Sequence, residues 1–189
     1  AIHETGAGID NYFHDSENTL RTFTTSPIVK EFLNNPNDAE LQAKAQDYTL
    51  EFFNSLENWE GIYIADWNSK VLTHPTPPVI GKVMREEDRL VELQDAMLNA
   101  ENDIYNVGII TSPTSGQLII SMYLPIMDGD KPIGYVGAGT YIKNIAQVYS
   151  DVSSLGLETA SIYLVDRAGN YIYHPNEEMI GQVAENEIV

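Results

Sequence analysis

The chain has 189 residues, 43% of them hydrophobic and 20% charged, with a formal net charge of −18 and no Cys. The apolar fraction is that of a soluble globular protein, and no run approaches the roughly 20 apolar residues of a membrane helix. The charge removes the basic footprint that nucleic-acid binding needs and repels an anionic membrane surface, while the lack of Cys removes disulfide and thiolate chemistry.

Residues 1–58 read as helical. Ile9, Tyr12, Phe13, Leu20 and Phe23 form a partly helical apolar stripe, broken at Ser26-Pro27, because Pro disfavours a helical residue before it and suits the first turn of a new helix. A short helix over 27–35 ends at Asn34-Asn35-Pro36. Asn37 or Asp38 then caps a third helix over 38–56, with Leu41, Ala45, Tyr48, Phe52 and Leu56 at helical spacing. From Trp59 the period changes. GIYIAD (61–66) and VLTH (71–74) are short β-rich runs about a polar turn. HPTPPVIG (74–81) is a loop, since three Pro in five residues cannot pair in a central strand.

The segment 85–100 is helical, with Leu90, Leu93, Met97 and Leu98 expected on its buried face. Three strands follow, over 103–112, 117–127 and 132–142, joined by Pro-Thr-Ser-Gly and Asp-Gly turns. Such turns make hairpins, so the three strands form an antiparallel meander. The order β-β-α-β-β-β over 59–142 gives an α+β fold: a five-stranded antiparallel sheet with a helix inserted after its second strand. A connecting helix is expected over 143–158.

The chain then repeats itself. Ungapped alignment of 61–89 with 161–189 gives nine identities, among them Tyr63/Tyr163, Asp66/Asp166, His74/His174, Pro75/Pro175 and Gly81/Gly181. Roughly two are expected by chance from average composition. Residues kept in both copies serve what the copies share, which is the fold. Asp66 and Asp166 are expected to cap turns, Gly81 and Gly181 to take an unusual backbone angle, and His74 and His174 to make structural hydrogen bonds rather than bind metal. Ligand specificity belongs to what the first copy does not share. The second copy stops at Val189, so the expectation is one full module, 59–142, and the start of another, 159–189, as in a truncated ectodomain.

The helical N-terminus, IYIAD-turn-VLTHP...IG, and GIITSPTSGQLIISMYLPIMDGDKPIGYVGAGTYI together resemble the double Cache extracellular sensor domain, over nearly the whole chain. The resemblance implies an N-terminal helical stalk carrying two PAS-like modules. It implies an ectodomain on the extracellular or periplasmic side of a membrane receptor, whose flanking transmembrane helices lie outside this sequence. It further implies a small molecule of unknown class bound between the distal sheet and the helix-loop after strand two, with no cofactor or metal, and a homodimer through the N-terminal helix. A chemotaxis receptor is the first expectation, with a histidine kinase or diguanylate cyclase as the alternative output. Amino-acid binders of the family carry an Arg-x-Trp-Tyr-like segment and an Asp near the end of the last strand. Here DRLVE (88–92) offers only Arg89, and Gly139 stands where the Asp would fall.

The two-residue strand period places Tyr135, Gly137, Gly139 and Tyr141 on one face, and Ser121 and Tyr123 on one face of the neighbouring strand. The glycines leave room for a ligand or for tight helix-on-strand packing. Arg85 and Arg89 are positioned to hold a carboxylate or to pair on the surface with Glu86, Glu87 and Asp88. Trp67 and Tyr105 are aromatic candidates, and Tyr63 reads as core because Tyr163 repeats it. No GxSxG, HExxH, Walker or dinucleotide motif is present, so no enzyme is expected. The competing class is a protein-docking module without a small ligand.

Overall fold

The fold is taken from a computed structural model, which describes residues 2–100, 104–142, 163–165, 169–174, 176–180 and 182–184. The expected connecting helix over 143–158, together with Asp166 and Gly181, lies outside the described residues.

Three helices open the chain: α1 (Ile2–Thr24), α2 (Pro27–Asn34) and α3 (Ala39–Asn54). Pro27 occupies the first turn of α2, where its missing N–H has no helical partner to lose. Asp38 caps α3 by accepting the backbone N–H groups of Glu40 and Leu41. The strands are β1 (Trp59–Asp66), β2 (Val71–Thr73), β3 (Tyr105–Thr111), β4 (Leu118–Asp128) and β5 (Lys131–Tyr141). Between β2 and β3 run a short 3-10 turn, Pro77–Val79, and α4 (Glu87–Leu98).

All five strands pair antiparallel in the order β2-β1-β5-β4-β3. The expected meander is therefore present. The link not evident from turn chemistry is β1 against β5, which places the first strand of the module beside its last.

Each face of the sheet has its own core. Ile62, Ile64, Ile120, Met122, Leu124 and Val136 meet Leu20 and Phe23 of α1, Val29, Phe32 and Leu33 of α2, and Ala45 of α3. Burying each of these side chains larger than Ala stabilises the fold by about 1.5–3 kcal/mol, so the first three helices share the core of the sheet. Phe23 stacks within 5.1 Å of Tyr48 and Phe52, joining α1 to α3. At the exposed edge, Gln46 of α3 both donates to the His74 carbonyl and accepts its N–H, continuing the ladder past the end of β2. Gly134 permits the close approach of α2, since a Cβ there would run into Leu33 and the Ala65 carbonyl.

On the opposite face α4 presents Leu93 and Met97, both buried, four residues apart and so one above the other. Leu98, expected on that face, is 50% exposed. It lies one residue, and hence about 100° of helix, beyond Met97.

The described part of the second copy repeats the geometry of the first. β6 (Leu164–Val165) pairs with β7 (Tyr171–Tyr173) in the register that β1 makes with β2, each with an irregularity at the same place. Bridges Lys70 to Val83 and Asn170 to Val183 correspond, as do the 3-10 turns Pro77–Val79 and Glu177–Met179.

Candidate functional site

The residues common to both copies build the frame. The Asp66 carboxylate accepts the N–H groups of Asn68 and Lys70, both at 2.9 Å, closing the β1–β2 turn. Gly81 has φ +87°, a conformation that Gly reaches without strain. His74 Nδ1 accepts the Thr76 N–H at 2.8 Å, and His174 Nδ1 accepts that of Asn176 at 3.0 Å. Both imidazoles thus fold the Pro-containing loop behind them. Burial also lowers the pKa of His74, so it is neutral at pH 7.

The sheet face under α4 is unlike the frame. Tyr105 and Tyr123 sit opposite each other on β3 and β4, and Tyr123 faces Gly137, which faces Tyr63 on β1. Tyr135 lies one step further along β5. Tyr105 stacks on Tyr123 at 6.2 Å, while Tyr123 and Tyr63 meet Tyr135 edge-on at 5.8 and 6.4 Å. Such geometry puts ring edges against ring faces. Ala65, Leu93, Met97, Trp67 and Val107 complete the cluster. Burial pushes the phenols of Tyr63 and Tyr105 above their ordinary value, Tyr63 far above, and that of Tyr135 up to about 12.

Arg85 reaches into this face. It leads into α4 and is partly buried, its guanidinium donating to the Met84 carbonyl at 2.8 Å and to the Tyr123 hydroxyl at 3.4 Å. Among the described residues it forms no ion pair, although Glu86, Glu87 and Asp88 follow it directly. Surface pairing, one of the two expected roles, is therefore not what places it. Its position is set by the frame. The Met84 N–H donates to the Ser69 carbonyl at 2.9 Å, and Val71 N–H to the Lys82 carbonyl at 2.8 Å, fixing the loop that precedes Arg85. The Ser69 hydroxyl bonds the Tyr135 hydroxyl in turn. Gln94 of α4 donates to the Trp67 carbonyl at 2.8 Å, tying the helix to the β1–β2 turn.

The candidates thus separate. Arg85, Tyr105, Tyr123, Tyr135 and Trp67 come together, with Gly137 beneath them. Ser121 and Gly139 are register partners in the next row of the same face, both buried. Tyr141 lies one row further, opposite Ile119, its carbonyl accepting the Tyr12 hydroxyl of α1 at 2.6 Å. Arg89 is exposed on α4, away from the tyrosines' contacts. The space over the two glycines is occupied by side chains of the neighbouring strands. A Cβ on Gly137 would overlap the Tyr63 ring, and one on Gly139 would lie 3.2 Å from Glu60 Oε2 and 3.1 Å from Ile119 Cδ1.

Sequence reasoning weighed Tyr63 as an aromatic candidate and favoured core packing for it, and it missed Ser69 and Glu60. The repeat carried a signal for those two, because they correspond to Gly169 and Ala160. Among the described residues no group of three or more His, Cys, Asp or Glu is arranged to hold a metal ion.

A family profile described as "Cache domain" matches residues 2–188. The chain belongs to the Cache domain family. Solved Cache-like structures share its fold. The sensory domain of the Campylobacter jejuni chemoreceptor Tlp3, with isoleucine bound, has a TM-score of 0.53 at 16% identity, covering 96% of this chain and 71% of that one. The extracellular domain of the histidine kinase vpHK1S-Z8 gives 0.57 at 18% identity, covering 95% and 68%. An extracellular ligand-binding receptor from Desulfohalobium retbaense gives 0.54 at 17% identity, but this chain spans only 32% of it. A search of curated proteins finds no match. No helix among the described residues is long and apolar enough to cross a membrane.

Proposed function

We propose that this Cache chain is the ligand-sensing ectodomain of a transmembrane signalling receptor, a chemoreceptor in the first instance. Its ligand is a small molecule bearing an anionic group, seated on the tyrosine face between the sheet and α4. The carrying observation is Arg85: a partly buried guanidinium turned onto Tyr123, without an ion pair among the described residues of a chain of charge −18. A desolvated cation gains most from an anion that completes its hydrogen bonds. The tyrosines supply apolar area and hydroxyl groups, the mix usual in small-molecule sites. A similar structure, the ligand-binding domain of a Pseudomonas aeruginosa amino acid chemoreceptor in complex with GABA, supports the same reading.

In this reading residues 59–142 form the sensing module, and residues 159–189 begin a second. Signalling is a population shift between two packings of α1 in a homodimer. The role is binding without catalysis. The test is a thermal-shift panel of small carboxylates on this chain. A ligand at 100 times its Kd stabilises by about 2.7 kcal/mol, and that gain is expected to vanish in Arg85→Gln. No shift across the panel favours protein docking instead.

A further inference from the structure

The helix α1 is fastened to the sheet in two different ways. Near its C-terminal end the grip is apolar, since Leu20 and Phe23 are fully buried in the helix-side core. Further back Tyr12 and Phe13 are only partly buried, and hydrogen bonds join the helix to the strands. The Tyr12 hydroxyl meets Thr140 Oγ1 at 2.7 Å and the Tyr141 carbonyl at 2.6 Å, both at the end of β5. The Glu17 carboxylate accepts the side-chain N–H of Asn106 on β3 at 2.9 Å. Successive strand residues point to opposite sides of a sheet, so each tie lies one residue from the tyrosine face. Thr140 follows Gly139, and Asn106 follows Tyr105.

The tie at Tyr12 has more contacts than hydrogens. A tyrosine and a threonine hydroxyl carry one hydrogen each. Between them they span three contacts, because Thr140 Oγ1 also lies 3.1 Å from the Asn58 carbonyl. One contact is therefore always unmade. In one arrangement Tyr12 donates to the Tyr141 carbonyl and accepts from Thr140. In another Thr140 turns its hydrogen to Asn58 and no longer needs Tyr12. Thr140 is fully buried, and leaving its hydroxyl without an acceptor would be costly. The Asn58 carbonyl removes that cost. Asn58 holds φ +65° between α3 and β1, and its carbonyl also accepts the Tyr141 N–H at 2.7 Å. Just beyond it the register of β1 against β5 slips between Trp59 and Gly61, at Glu60. Tyr12 and Tyr141 are partly exposed, so water can replace the bond between them. Release of Tyr12 thus strands no buried group.

From these contacts we infer that Tyr12 and Glu17 form a releasable latch, and that the latch couples the tyrosine face to α1. A backbone shift at Gly139 or Tyr105 passes to the next residue, Thr140 or Asn106, and moves α1 between latched and released arrangements. The inference rests on the receptor reading above, for which it supplies the two-state element that occupancy biases.

The test needs no ligand. Amide hydrogen exchange is followed by mass spectrometry in peptides from α1 and from β4, on the native chain and its variants. Tyr12→Phe keeps the ring in the core and removes the latch hydroxyl, so exchange in α1 should quicken roughly tenfold while β4 is unchanged. Glu17→Ala should quicken the same segment. Thr140→Val takes one hydrogen bond from the latched and released arrangements alike, so α1 should stay within about threefold of native. Gly139→Ala places its Cβ against Ile119 and Glu60 rather than α1. It should still change α1 exchange by about threefold or more, and that response should vanish when Tyr12→Phe is present. Native-like exchange in Tyr12→Phe, or α1 and β4 quickening together, would mean that there is no latch. Thr140→Val releasing α1 as fully as Tyr12→Phe would disprove the change of partners, and α1 unmoved by Gly139→Ala would disprove the coupling. The receptor reading fails separately, if no small carboxylate shifts the melting temperature, and the exchange data still decide the latch.

Discussion

Ser69 adopts φ +67°, a left-handed conformation that costs an L-residue about 1–2 kcal/mol. The second copy meets the same bend with Gly169 at φ +85°, and in both the carbonyl accepts a backbone N–H from the returning loop, Met84 or Ala184. What the strained serine adds is its hydroxyl, bonded to the buried Tyr135. Two substitutions separate these terms. Ser69→Ala keeps the backbone strain and loses the bond, costing about 1–2 kcal/mol. Ser69→Gly loses the bond but relieves the strain, so its net change should be smaller by about 1 kcal/mol. Urea midpoints of the two variants decide it, and an alanine variant as stable as the glycine one would refute this account of Ser69. The roles of Asp66, His74 and Gly81 could be read from repetition, because a turn cap, a loop hydrogen bond and a positive φ recur wherever the local chain path recurs. The role of Ser69 was harder to see, because it depends on a partner 66 residues away.

Among the elements, hairpin chemistry was the most legible feature. Pro-Thr-Ser-Gly and Asp-Gly fix β3, β4 and β5 in order, and the Pro-rich loop forbids a long β2. The pairing of β1 with β5 and the slip at Glu60 were not legible. Register depends on facing side chains from distant segments, and a bulge leaves no periodic trace. That pairing gives the two glycines of β5 different duties. Gly137 lies beneath the Tyr63 ring, which stiff neighbours surround, so Gly137→Ala must lift the ring off the sheet and disturb its contact with Tyr135. The expected loss is about 1–3 kcal/mol. Gly139→Ala meets the ends of Ile119 and Glu60 at 3.1 and 3.2 Å, contacts that a shift of a few tenths of an ångström relieves, and should cost less than about 1 kcal/mol. Equal denaturation midpoints for the two alanine variants would show that Tyr63 does not depend on Gly137.

At the scale of the whole molecule, a charge of −18 sets how stability responds to pH and salt. The two ion pairs among the described residues, Lys30–Asp128 and Lys44–Glu40, are exposed and contribute little against it. Alkaline pH adds charge at the place least able to accept it. Burial holds Tyr135 at about 12 and raises Tyr63 and Tyr105 in the same direction, while unfolded tyrosine titrates near its ordinary value of 10. From pH 10 upward the unfolded chain thus binds fewer protons than the folded one, and stability falls as pH rises. The contribution of Tyr135 is intact below pH 10 and is lost by about pH 12, a change on the order of 2 kcal/mol. Salt distinguishes the two causes. It screens repulsion among exposed carboxylates and should raise the melting temperature at neutral pH, but desolvation of a buried phenol is not screened. The alkaline loss should therefore persist in high salt and shrink in Tyr135→Phe, measured as urea midpoints across pH 9–12. An alkaline loss that salt abolishes, with Tyr135→Phe behaving as the native chain, would assign it to surface repulsion and remove the tyrosine face from the account.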